Sequence, residues 1–162
     1  MTEEAKTPRT AVTIHTDGAC LGNPGPGGYG AVLACGEARR EISGGRKLTT
    51  NNRMELLAVI EALEALESPG DVTLITDSRY VHDAIEKRWL ASWQKKGWLN
   101  AEKKPVKNQD LWRRLMPLLV THKIKFNWVR GHTGNPDNER CDVLAKTAAN
   151  SRNLPADDGY PG

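Results

Sequence analysis

The sequence predicts an α/β fold, a five-stranded mixed sheet flanked by helices. Three observations lead there. The elements read βββαβα, then a basic segment, then αβα. Three closely spaced strands suit an antiparallel meander, and strands separated by helices suit parallel crossovers. The 162 residues fit one domain with a substantial core.

The first strand is AVTIHTD (11–17), with Val12, Ile14 and Thr16 on one face and Thr13, His15 and Asp17 on the other. GACLGNPGPGG turns the chain, YGAVLAC forms a second strand, and Arg39 to Ser43 closes the meander. A long helix is expected from Thr50 to Glu67, ended by SPGD. DVTLITD is the fourth strand, and Ser78 starts the next helix. Residues 87–107 read as a short helix plus a loop. Asn108 is an expected N-cap for QDLWRRLMPLLV, in which Pro117 should kink or shorten the helix. KIKFNWV is the fifth strand, and the last helix has Asn135 as cap with Pro136 at its first position. The domain spans 1–162, with a core of about 11–150 and loose termini at 1–10 and 151–162.

Composition narrows the function classes. No apolar run approaches the ~18 residues of a membrane span. The polar start, MTEEAKTPRT, carries no apolar signal segment, so a cytoplasmic location is the expectation; the chain is expected to be a monomer. Cys20, Cys35 and Cys141 are odd in number and have no CxxC spacing, which argues for free thiols rather than a disulfide framework or a zinc site. Net charge is only +3, yet residues 87–107 carry +6 together with Trp89, Trp93 and Trp98. Basic groups neutralise phosphates and aromatic faces stack on sugars or bases, so a nucleic-acid partner competes with a merely solvated face.

The candidate chemistry lies in four acids. On a helical wheel of NNRMELLAVIEALEAL, Leu56, Val59, Ile60, Ala62, Leu63 and Leu66 share one arc, and Glu61 and Glu64 point away. Glu55 points inward, where an unpaired carboxylate is costly. Asp17 and Asp77 end the first and fourth strands. If those strands are parallel neighbours, both acids lie at one edge of the sheet, the edge where sites gather. Asp142 lies at the rim of the stripe Cys141, Leu144, Ala145, Ala148 and Ala149. Taken singly, each reads first as a cap, a turn former or a surface residue. The inward Glu55 favours convergence, and hard divalent cations suit an all-carboxylate site.

TDGACLGNPGPGGYGAVL, TTNNRMELLAVIEALE, TDSRYV, KKPVKNQDLW and GHTGNPDNERCDVLA resemble the successive motifs of bacterial type 1 ribonuclease H, in order from about 11 to 150. The resemblance implies the ribonuclease H fold and an endonuclease that cuts the RNA strand of RNA·DNA hybrids, leaving 5′-phosphate and 3′-hydroxyl ends. It implies two Mg²⁺ ions, replaceable by Mn²⁺, on Asp17, Glu55, Asp77 and Asp142. His132 matches a histidine that assists proton transfer or product release. Gly18, Cys20, Asn23, Asn51, Asn52 and Arg79 match residues along the minor groove. Thr50 and Asn108 match a pocket for a DNA-strand phosphate, Trp89 and Trp93 a DNA channel, and Lys95 and Lys96 a basic protrusion.

Two positions depart from the resemblance. Arg79 stands where many relatives carry Gln, and Leu48 where an Arg often serves the phosphate pocket, with Arg46 or Lys47 as possible substitutes. Two other readings compete: a non-catalytic binding protein on the same fold, which loss of an acid would favour, and a transposase or junction resolvase, against which NNRMEL and the basic Trp-rich segment argue.

Overall fold

The computed structural model describes residues 10–130 and 134–160. Five strands, β1 (Thr10–Cys20), β2 (Gly25–Cys35), β3 (Ala38–Thr49), β4 (Gly70–Thr76) and β5 (Lys123–Trp128), form one sheet in the order β3-β2-β1-β4-β5. The meander β1–β2–β3 is antiparallel, and β4 and β5 add in parallel. The helices are α1 (Asn51–Glu64), α2 (Arg79–Glu86), α3 (Trp89–Lys95), α4 (Gln109–Thr121) and α5 (Pro136–Ala149). No helix among the described residues is long and apolar enough to cross a membrane.

The sheet is covered on both faces. Consecutive residues of β2 show this: Gly27 faces Met54 of α1, and Gly28 faces Ala145 and Ala148 of α5. On the α1 side, α4 adds a further layer, so α1 is buried from Arg53 to Ile60 and again at Ala62 and Leu63. Glu61 and Glu64 do point away from the sheet, where both accept hydrogen bonds from Arg114 of α4.

The structure corrects several boundaries. β2 starts at Gly25 and β3 runs on to Thr49, because backbone pairing between Gly25 and Thr49 and between Gly27 and Arg46 continues where glycines show no alternation. α1 ends at Glu64, three residues early. α4 continues one turn beyond Pro117, which removes a single amide donor. Asn108 takes the N-cap position of α4, as expected, but not with its side chain. Its backbone is left-handed (φ 61°) and its side chain makes no cap hydrogen bond, being engaged by Arg53 and Tyr80 instead. Asn135 does cap α5, accepting from the amides of Asp137 and Asn138.

Residues 151–160, expected to be loose, are tied to the body. The Lys47 amide donates to the Pro155 carbonyl at 2.9 Å, and Asp157 accepts from Thr49 and twice from Arg53. Burial opposes ionisation of Asp157, but hydrogen bonds from Arg53 and Thr49 outweigh it and hold its carboxyl below the usual range.

Candidate active site

Local geometry brings Asp17, Glu55 and Asp77 together. Thr16 pairs with Thr76 as the last step of the parallel β1–β4 register, so Asp17 and Asp77 follow side by side; β1 does not end at Asp17 as expected but continues to Cys20, still paired with β2. Thr50 caps α1, accepting from the Arg53 amide at 3.3 Å, which places Glu55 just inside the helix. Gly18 lets α1 close over the end of β1, since no side chain stands between it and the backbone of Met54 and Glu55. The Gly18 amide donates to Asp17 Oδ1 at 2.9 Å and to Glu55 Oε1 at 3.1 Å. One carboxylate oxygen from each of the three acids lies within 4.8 Å of the others.

This concentration of negative charge is poorly neutralised by the protein. Asp17 is 9% exposed and Glu55 5%. Burial, with the charge of Asp77 and Asp142 added, pushes Asp17 up to about 7. Burial, then the charges of Asp17 and Asp77, raises Glu55 well above the usual range. Glu55 Oε2 is buried and has no hydrogen-bond partner among the described residues. A buried acceptor costs about 1–3 kcal/mol when left unsatisfied. A cation is the partner that would satisfy it and also lower the repulsion. Three convergent carboxylates are the oxygen donors that hard divalent ions prefer, so the site fits such an ion.

The RNase H family model matches residues 9–150. The chain is 63% identical over 149 residues to the Ribonuclease H of Nitratidesulfovibrio vulgaris (strain DP4), covering 92% of this chain and 96% of that one. The chain belongs to the ribonuclease H family. It is 60% identical to the Ribonuclease H of Oleidesulfovibrio alaskensis, covering 90% and 95%. Among solved structures it is similar to LC9-RNase H1, a type 1 RNase H with the type 2 active-site motif. The TM-score is 0.79 and the identity 34%, over 88% of this chain and 74% of that one. It is also similar to the foamy viral protease-reverse transcriptase in complex with RNA/DNA hybrid (TM-score 0.77, 25% identity), over 88% of this chain and 20% of that one. The chain is therefore a ribonuclease, and the non-catalytic reading falls away.

In this ribonuclease H, Asp142 stands apart from the three-acid cluster. It lies on α5, half-buried, with Lys146 Nζ 3.0 Å from Oδ2, though its charge still reaches Asp17. His132 lies outside the described residues. Cys20 turns its thiol inward, toward the carbonyls of Gly25 and Thr49 at 3.4 Å. Asn23 Oδ1 accepts from the Asn51 amide at 3.0 Å, while Asn52 is exposed. The Trp89 and Trp93 rings are 6.3 Å apart, and Lys95 and Lys96 are exposed at the end of α3.

Sequence reasoning missed several residues that hold these groups. Trp128 donates its indole N–H to the Asp77 carbonyl at 3.0 Å, and the Arg79 guanidinium lies 4.7 Å above its ring. The Tyr80 and Trp112 rings pack at a tilt, 5.4 Å apart, and the stack continues to Trp93 at 5.7 Å. Arg53, 1% exposed, lines a cavity with Thr50 and Asn108. Neither Arg46 nor Lys47 lines it; Lys107 does.

Proposed function

We propose that the chain is a cytoplasmic, monomeric endonuclease that hydrolyses the RNA strand of RNA·DNA hybrids and leaves 5′-phosphate and 3′-hydroxyl ends. The observation that carries this reading is the set of three carboxylate oxygens within 4.8 Å. The bound RNA/DNA hybrid of the foamy viral relative supports the substrate class. Asp17, Glu55 and Asp77, with Asp142 at the rim, would hold two divalent cations, Mg²⁺ or in its place Mn²⁺. When bound, these supply an activated water and stabilise charge on the phosphate and the leaving oxygen. The Gly18 amide holds Asp17 and Glu55 in position for them, and His132 moves a proton or speeds product release.

Substrate recognition divides by strand. Gly18, Cys20, Asn23, Asn51, Asn52 and Arg79 are assigned to the minor groove, where the 2′-hydroxyl separates RNA from DNA. Thr50 and Asn108 grip a DNA-strand phosphate, Trp89 and Trp93 line the DNA channel, and Lys95 and Lys96 draw the hybrid in. The test is cleavage of RNA·DNA, RNA·RNA and DNA·DNA duplexes of one sequence with Mg²⁺. Only the hybrid should be cut, in its RNA strand alone and only with metal. Equal cleavage of the RNA·RNA duplex would overturn the specificity.

Replacing Lys95 and Lys96 together by Ala should weaken hybrid binding and flatten the slope of log K against log[salt] by up to about two units, since each neutralised phosphate contributes roughly 0.9. Turnover at saturating hybrid should persist, because the carboxylates lie elsewhere. Parallel salt titrations of equal affinity would make these lysines a solvated face.

A further inference from the structure

The described C-terminal residues reach the DNA-strand side of the site. Asp157 Oδ2 accepts from Arg53 Nε and from Thr49 Oγ1, both at 2.7 Å, and Oδ1 accepts from Arg53 Nη2 at 2.9 Å. On its other edge Arg53 donates to both oxygens of Asp110, at 2.8 and 2.7 Å. Its remaining contact is Nη1 to Asn108 Oδ1 at 3.3 Å. Asn108 Nδ2 donates in turn to the Tyr80 hydroxyl at 3.0 Å. The Asn108 amide is thus held at both ends, and one of those ends is Arg53, which Asp157 fixes.

The chain then folds back over this cluster. The Tyr160 amide donates to the Asp157 carbonyl at 3.0 Å. Gly159 sits so close that a Cβ there would lie 1.8 Å from Asp110 Oδ2 and 2.7 Å from Arg53 Nη2. Gly159 and Tyr160 line the same polar cavity, of about 420 Å³, as Thr50, Arg53, Lys107 and Asn108. Arg53 with its two carboxylates is net negative, so attraction for a phosphate comes from Lys107 and from the N-terminal ends of α1 and α4, which open here. The arginine cluster supplies orientation.

We infer that residues 155–160 form a strap that completes the DNA-strand phosphate pocket, with Asp157 as a positioning residue that sets Asn108 through Arg53. This rests on the assignment of Thr50 and Asn108 to that phosphate. A strap that only staples the chain end would contribute to stability and nothing more. The two roles separate in substrate binding measured well below the unfolding temperature.

The probes are hybrids carrying one uncharged methylphosphonate at successive DNA-strand positions, tested on the intact protein and on Asp157→Asn and Gly159→Val. Circular dichroism checks that each variant is folded. The unmodified protein should lose affinity sharply at one modified position. Both variants should raise KM about tenfold, as loss of one charge-assisted hydrogen bond does, with kcat within twofold. They should also lose the sensitivity at that position, because the contact is already weakened. Variants that melt earlier yet keep KM and the sensitive position would reduce the strap to a staple and overturn the inference. Absence of any sensitive position in the unmodified protein would instead remove the phosphate-pocket assignment itself, and the inference with it.

Discussion

Asp17→Asn is expected to lower cleavage of the hybrid by at least about 10³-fold at saturating Mg²⁺, since metal activation supplies several kcal/mol and each 1.4 kcal/mol is tenfold. Asn keeps the shape and one acceptor for the Gly18 amide, so the backbone has no reason to move. It withdraws a full charge from the point where three carboxylates converge. Hybrid affinity should stay within a few-fold, because Lys95, Lys96, Trp89 and Trp93 lie on the separate helix α3 and its end. Single-turnover cleavage and metal-free binding measure the two effects separately. Near-normal turnover would sink the metal assignment of Asp17.

The same substitution should stabilise the metal-free protein, with a definite pH dependence. Asp17 titrates near 7 in the fold and near 3.9 in the unfolded chain. The folded state therefore binds the proton more tightly. The stability so gained is full below about pH 4 and is lost as pH rises to about 7. Asn has no proton to lose. At pH 8 without metal the variant should melt several degrees higher, roughly 2–4 °C for each kcal/mol of relieved repulsion. Near pH 4 the two proteins should converge, and Mg²⁺ at pH 8 should stabilise only the parent. A variant that melts lower at pH 8 would show that the Asp17 carboxylate contributes more through its hydrogen bonds than it costs through repulsion.

Much of this site was legible in the sequence because its signals are local. The parallel crossover placed Asp17 and Asp77 at one edge, although β1 runs on past Asp17 to Cys20, and the helical wheel exposed Glu55 as a charge on the wrong face. The separation of Asp142 was not: its place at the rim of an apolar stripe suggested convergence, and the pairing with Lys146 one turn on was overlooked. Arg53 was hidden for the opposite reason. Its partners lie 57 and 104 residues away, and no helical period reports a second face covered by α4. The segment SRNLPADDGYPG reads as loose by composition, yet its described residues are tied down through the Pro155 carbonyl and the Asp157 carboxylate, by partners about a hundred residues away in the chain. Glycine likewise concealed the length of β2 and β3, because a residue without a side chain shows no inside or outside.

Gly18→Ala should damage the enzyme through geometry alone. A Cβ at position 18 would lie 2.4 Å from the Glu55 amide nitrogen, 2.6 Å from the Met54 carbonyl carbon and 2.9 Å from Glu55 Cα. All three are backbone atoms, so no rotamer change relieves the overlap. Either the end of β1 or the first turns of α1 must shift, and α1 is buried between the sheet and α4. The shift pulls the Gly18 amide from Glu55 Oε1, which it now meets at 3.1 Å, and moves Glu55 away from Asp17. Misplacement of a catalytic group by about 1 Å costs on the order of 10²-fold in rate, and overpacking of this kind costs about 1–3 kcal/mol. Urea unfolding should show a lower midpoint with an unchanged m-value, and kcat/KM with Mg²⁺ should fall by about two orders of magnitude. The sign of the stability change separates the two variants: without metal at pH 8, Asp17→Asn gains and Gly18→Ala loses. An alanine variant with the parent's midpoint and kcat/KM within threefold would mean that α1 and β1 have slack at this contact, and that Gly18 does not set the distance between the acids.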